Sequence, residues 1–269
     1  MAAASGVAEK EDRIKNMFLN TADGLEPNGV YGVNFYTLGV PHTVVVDDYL
    51  PMQWGNTKFA RPGTDNSLWG AILEKAFAKH WGTYERLQGG LPHYAIRTLL
   101  GSPWEEYYKQ SITVDDLWTK LSAADFAHDM IMTGTPGSGN HDNTHANGLA
   151  HSHAYTVVGV ATLSTGDRLV KMRNPWGSER FTGDWSDSST KWTPATKAEV
   201  DHATADDGFF YMSVADYHDQ TFATWFSKEN EGWNSDYFLM LDDPGTGSNS
   251  ACSGSCSERT LKITSDVAQ

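Results

Sequence analysis

The chain is 269 residues long and carries 20 Lys and Arg against 34 Asp and Glu, a net charge of −14. That length suits one large domain or two small ones packed together, and so acidic a balance, with no basic stretch to offset it, disfavours nucleic acid or an anionic membrane as partner. Aromatic residues make up 12% of the chain, which excludes a largely disordered protein.

In chain order, residues 2–18 suit a helix, first small (Ala2, Ala3, Ala4) and then charged (Glu9, Lys10, Glu11, Asp12, Arg13). The apolar start lacks a basic leader and reads as the inside of a helix rather than a signal peptide. Residues 29–50 predict a hairpin, with β-formers from Val30 to Leu38, punctuation at Gly39 and Pro41, and a second run at Thr43–Val46. A loop follows, and then the clearest helix, 67–81, in which Trp69, Leu73, Phe77 and Trp81 recur at i+4. Such a stripe is ordinary core packing. Gly89-Gly90 and Pro92 mark a change of character. A helix is expected over 114–124, with Thr113 as N-cap and Asp115 and Asp116 in its first turn, and a short strand around 126–132. Residues 133–152 form a long polar loop. Strands at 153–163 and 168–173, joined by Ser164-Thr165-Gly166-Asp167, predict a second hairpin. A short helix over 194–200, capped by Thr193 with Pro194 at its first position, precedes a strand-like run at 208–214. From Pro244 the composition turns to Gly and Ser, and Thr260–Thr264 alternates like a first strand.

No run approaches the roughly 18 apolar residues that a membrane-spanning helix needs. Cys252 and Cys256 are the only cysteines. Their scarcity excludes a disulfide framework and favours a reducing, intracellular setting, most simply the cytoplasm.

His141, His145, His151 and His153 crowd one stretch, a density that could mean a metal site. They are strung through a Gly/Asn loop without helical register, and no nearby Cys or Glu completes a tetrahedral set, so a solvated loop with one functional member is the plainer reading. His153 differs because it opens a buried-looking strand. At the end of the partner strand stands Arg173-Asn174-Pro175-Trp176-Gly177. In an antiparallel hairpin the start of one strand lies opposite the end of the other, so His153 and Asn174 can approach across the ladder. An amide facing an imidazole fixes its tautomer, and an indole beside them shields the contact from water. A thiol protease equips its base in this way.

The chain resembles the protease core of the calpains, a branch of the papain-like cysteine peptidases. The resemblance rests on Leu68-Trp69 with Leu73-Glu74-Lys75-Ala76-Phe77-Ala78-Lys79, on Gly82-Thr83-Tyr84-Glu85 with Leu87-Gln88-Gly89-Gly90, and on His153-Ala154-Tyr155-Thr156-Val157. Arg173-Asn174-Pro175-Trp176-Gly177, the stretch from Phe181 to Asp187, and Asp207-Gly208 with Phe210-Tyr211-Met212-Ser213 continue the series. It implies an α+β, papain-like fold of two lobes. The rear part of the helical lobe would be 1–92 and the β-rich lobe 93–242. Residues 243–269 would be a linker and the first strand of a following, truncated domain.

The resemblance further implies a cysteine endopeptidase that hydrolyses internal peptide bonds of protein substrates. His153 would be the catalytic histidine and Asn174 its orienting asparagine. Trp176 would be the wedge between the lobes, and Gly89 and Gly90 would lie beside the substrate backbone. Ser152 stands where the family usually has glycine, at the substrate-binding rim. In the family the nucleophile belongs to a Cys-Trp pair leading into the helix that Met1-Ala2-Ala3-Ala4 continues, about three positions before Met1. The chain as written is therefore expected to be inactive. The alternative is a non-catalytic calpain-like module that binds or regulates a partner. The family also binds calcium through carboxylates in each lobe. Here Asp187 and Asp207 keep their acids, but Arg180 and Phe209 stand where Glu is expected, and Ser67 stands where an acid precedes Leu68-Trp69. Such losses argue against ordinary calcium activation, since hard cations need oxygen ligands.

Overall fold

A computed structural model of the protein describes residues 1–20, 24–37, 39–63, 65–137 and 143–228. His141, both cysteines, the Gly/Ser linker and the expected strand at 260–264 lie outside the described residues. The described residues all belong to one compact unit.

The segment expected as one helix is two: α1, Ala2–Ala8, and α2, Glu11–Met17. The break falls at Lys10, whose backbone is extended (φ −117°, ψ 115°). Small side chains let α1 lie close to its neighbours, and Ala2, Ala3, Ala4, Gly6 and Val7 are all buried. The first hairpin is as expected. β1, Val30–Thr37, pairs antiparallel with β2, Val40–Asp47, from Val30↔Asp47 to Thr37↔Val40. Along β2, Val44 and Val46 point inward while Val45 is exposed, the period-2 pattern of a half-buried strand. A minimal ribbon, β3 (Met52–Gln53) with β4 (Asn56–Thr57), interrupts the expected loop.

Helix α3, Trp69–Trp81, sits where its periodicity placed it, though its inward face centres on Ile72, Leu73 and Ala76. Trp81, at the end of the expected stripe, is 46% exposed. Helix α4, Pro92–Leu100, starts with its proline in the first turn and ends at Gly101 in the left-handed region (φ 70°). Its Ile96 and Leu99 join a first core cluster with Val7, Val33, Phe35, Ile72 and Ala76. This first cluster draws on residues on both sides of Gly89-Gly90-Pro92, from Ala3 to Met132.

The remaining chain builds a six-stranded antiparallel sheet from β5 (Trp104–Tyr108), β6 (Met130–Gly134), β7 (Ala154–Thr162), β8 (Arg168–Arg173), β9 (Phe209–Ser213) and β10 (Ala223–Ser227). Its order is β5-β10-β6-β7-β8-β9. Both faces are covered. On β6, Met130 and Met132 enter the first cluster while Ile131 enters a second one. That second cluster gathers Tyr155 and Val157 of β7 with Leu117 and Leu121 of α5 (Val114–Phe126) and Tyr217 of α7 (Val214–Gln220). The cap of α5 is Thr113, whose hydroxyl accepts the Asp116 N–H at 3.1 Å. Helix α6, Pro194–Glu199, starts with a capping box between Thr193 and Thr196. The fold is α+β, with helices on each side of a central sheet. Among the described residues no helix is long and apolar enough to cross a membrane.

Candidate active site

His153 immediately precedes β7 and Asn174 immediately follows β8, so the hairpin brings the two ends together. His153 Nε2 lies 3.0 Å from Asn174 Oδ1. Asn174 is 3% exposed, and its amide has only one workable orientation. Nδ2 donates to the Ser178 carbonyl at 2.9 Å, and Oδ1 accepts the Trp176 N–H at 3.1 Å. Flipping the amide would set donor against donor and acceptor against acceptor. Oδ1 can only accept, so His153 Nε2 carries the hydrogen, and in the neutral ring Nδ1 is the nitrogen with the lone pair. The asparagine thus selects the tautomer.

The ring is held from both sides. The Trp176 indole lies 4.2 Å away between centroids, and the Tyr155 ring stands edge-on at 4.8 Å. Tyr155 is itself fixed, since its hydroxyl accepts the Ala150 N–H at 3.0 Å and burial pushes the phenol up to about 12. The backbone of His153 is clamped by Thr135. The Thr135 N–H donates to the His153 carbonyl at 2.9 Å, and Thr135 Oγ1 accepts the His153 N–H at 3.1 Å. Beneath Asn174, the Gly208 carbonyl accepts the Asn174 N–H at 2.8 Å. Gly208 has φ 88°, and a Cβ there would come within 3.0 Å of the Asn174 carbonyl oxygen, so only glycine fits. Thr135 has no local sequence signal as part of this site, because its backbone and hydroxyl reach His153 across a long loop. Gly208 enters the sequence analysis only through the resemblance.

The other expected site residues are arranged differently. Ser152 adopts a left-handed backbone (φ 47°), the conformation that glycine takes without strain. It is tied to the neighbouring loop, with its N–H on the Pro136 carbonyl at 3.2 Å and its hydroxyl on that of Gly137 at 2.9 Å. Gly89 and Gly90 are exposed beyond the short 3-10 turn Tyr84–Leu87, and a Cβ at either would meet nothing within 4 Å. Among the described residues no hydrogen bond joins them to the His153–Asn174 pair. In the histidine loop, the rings of His145 and His151 stack at 4.0 Å, and His145 Nε2 donates to the Pro136 carbonyl at 2.9 Å. Stacked rings turn their nitrogens away from a common centre. Among the described residues no three His, Cys, Asp or Glu side chains gather as a metal-ion site.

A calpain family cysteine protease model matches residues 1–225. The chain belongs to the calpain family of cysteine proteases. It is 36% identical over 198 residues to the calpain-type cysteine protease ADL1 of Oryza sativa subsp. japonica, a match covering 70% of this chain and 9% of that protein. The calpain-type cysteine protease DEK1 of Arabidopsis thaliana matches to the same extent, 36% over 198 residues. Human calpain-14 is 32% identical over 231 residues, covering 81% of this chain and 32% of calpain-14. The chain thus corresponds to a minor part of each relative's length.

Family membership brings the calcium question to particular atoms. Asp187 Oδ2 accepts the Ala205 N–H at 3.0 Å, and Asp207 Oδ1 accepts that of Phe209 at 2.9 Å. Glu179, one residue before Arg180, turns into this cluster. Burial, then the facing Asp187 carboxyl and the charges of Asp207 and Asp206, push Glu179 up to about 8. Glu179 Oε2 and Asp187 Oδ1 are buried without hydrogen-bond partners. Asp187 and Asp207 are partly committed to backbone N–H groups, and the neighbouring positions are Arg180 and Phe209. A calcium ion takes six to eight oxygens, several of them ionised. In the first half of the fold, Asp65 Oδ1 accepts the Ser67 N–H at 2.9 Å. These donor sets do not fit calcium, and no catalytic step is derived through it.

Proposed function

We propose that this chain is the base-and-orienter portion of a calpain-type cysteine endopeptidase, whose nucleophilic cysteine precedes α1 in the parent protein. The observation that carries the reading is the His153 Nε2–Asn174 Oδ1 contact, with the amide orientation set by Ser178 and Trp176. Through Nδ1, His153 takes the thiol proton, and the resulting thiolate attacks the carbonyl carbon of an internal peptide bond. The imidazolium then gives its proton to the leaving amine, and a thioester remains. Water, deprotonated at the same nitrogen, attacks the thioester and releases the carboxyl product and the thiol. Trp176 keeps bulk water from the His–Asn contact, while Gly89, Gly90 and Ser152 form the rim along which substrate backbone lies. The parent works inside the cell with further domains attached.

The 269-residue chain alone lacks the attacking sulfur, because its cysteines are at 252 and 256, beyond the family match. That same observation favours a second reading, a non-catalytic calpain-like module that binds a protein partner. The test is hydrolysis of unfolded casein by the 269-residue chain and by the parent protein carrying the segment upstream of Met1. The first should be inert. The second should cleave, and should lose cleavage when the upstream cysteine is replaced by alanine. A parent without an upstream cysteine, or inert with one, leaves the binding module as the function. Cleavage by the short chain that a thiol-directed inhibitor blocks would refute the assignment of the nucleophile.

A further inference from the structure

Helix α1 meets the sheet at Thr156, which is 1% exposed. Its hydroxyl donates to the Ala2 carbonyl of α1 at 2.9 Å. A Cβ added to Gly6 would touch Thr156 Cγ2 at 3.4 Å, so the methyl group lies against the helix one turn further on. Thr156 therefore fills the notch between Ala2 and Gly6, residues i and i+4 on one face of α1. A polar contact at one end of the notch and an apolar contact at the other resist both sliding and rotation of the helix.

The strand side of this contact is rigid. Thr156 pairs with Met132 of β6 on one edge and with Arg173 of β8 on the other. It stands three residues after His153, and its ladder partner Arg173 immediately precedes Asn174. One side chain thus connects the first turn of α1 to the strand pair that holds both site residues. A slip of α1 by one residue moves its start by about 1.5 Å and turns it by about 100°.

We propose that Thr156 is a positioning residue for the cysteine protease reaction, setting the reach between a nucleophile at the start of α1 and His153. This rests on the proposed function above. In the ordinary active form the hydroxyl fixes the axial position of α1 and the methyl fixes its rotation.

The test uses the full parent protein as wild type, Thr156→Val and Thr156→Ser, read by casein and peptide hydrolysis and by the pH profile of thiol alkylation with iodoacetamide. Valine keeps the shape and removes the hydroxyl, while serine keeps the hydroxyl. Thr156→Val should lower kcat by about 100-fold, the loss that misplacement by about 1 Å produces, with KM held within about twofold. Its alkylation profile should move from that of a paired thiolate toward an ordinary thiol near pH 8.5. Thr156→Ser keeps the hydroxyl contact and loses only the methyl, so its kcat should fall less than that of valine, by about 10-fold or less. A valine variant with wild-type kcat and alkylation profile overturns the proposal. So does a valine variant less impaired than serine, which would make the residue a packing element only. If the wild-type parent neither hydrolyses peptide nor shows a low-pH alkylation limb, the protease reading itself has failed, and this inference falls with it.

Discussion

Asn174→Ala provides a test of the site in the 269-residue chain that needs no catalysis. The substitution removes three hydrogen bonds from a buried residue: to His153 Nε2 at 3.0 Å, to the Trp176 N–H at 3.1 Å and to the Ser178 carbonyl at 2.9 Å. A typical intramolecular hydrogen bond contributes about 0.5–1.5 kcal/mol net, and a partner left buried and unpaired costs more. The contacts with the Trp176 N–H and the Ser178 carbonyl are both part-buried, so these groups regain water only in part. The His153 Nε2 contact is part-buried in the same way. The expected loss is about 2–3 kcal/mol, read as a shift in the urea midpoint at unchanged slope. A double-mutant cycle with His153→Ala isolates the pair, because the two residues touch and their effects should not add. Its coupling energy should be about 1 kcal/mol. A coupling near zero, or an Asn174→Ala loss below about 0.5 kcal/mol, would mean that the amide does not restrain the ring, and the tautomer argument would fail.

Three further outcomes follow from the same geometry. Gly208→Ala puts a Cβ at φ 88° and 3.0 Å from the Asn174 carbonyl, and should destabilise the chain by about 1–3 kcal/mol in urea unfolding; a neutral result would contradict the close approach. Ser152→Gly relieves a left-handed serine (φ 47°) but loses its bond to Gly137, so the stability change should stay within about 1 kcal/mol and the rim loop should be cleaved more readily by a probe protease. Glu179 ionises near 8 in the fold against about 4.3 unfolded, so between these values the folded state holds the extra proton. The contribution of Glu179 to stability is therefore present below about pH 4 and lost as pH rises through about 8. Glu179→Gln should flatten the fall in melting temperature between pH 5 and 8, and an unchanged slope would show that Glu179 is not held protonated in the fold.

Local pattern and hairpin geometry made much of this protein legible in the sequence. The 3.6-residue period located α3, the β-formers around Gly39 located the first hairpin, and counting across Ser164–Asp167 brought His153 to Asn174. Each of these depends on contacts close along the chain, where residue type and spacing dictate geometry. The approach of His153 to Asn174 is legible for the same reason, whereas the roles of base and orienter are what the resemblance implies. Other features had no local signal. The break between α1 and α2 at Lys10 follows from their different surroundings, one helix against the sheet and the other beside the first hairpin. β5 pairs only with β10, when residues 104–108 meet 223–227, and β10 pairs on its other edge with β6, residues 130–134. Thr135 clamps His153 across a loop, Gly208 yields space to Asn174, and Thr156 joins α1 to β7 over a sequence separation of 154 residues.

The scarcity of cysteine illustrates the division. Composition and order along the chain determined that residues 1–225 hold a histidine and an asparagine suited to a thiol protease but no thiol. Tertiary structure decided which imidazole nitrogen carries the hydrogen, because that depends on Ser178 and Trp176 fixing one amide. It also decided where the helix start lies relative to that ring, because this depends on packing between segments distant in sequence.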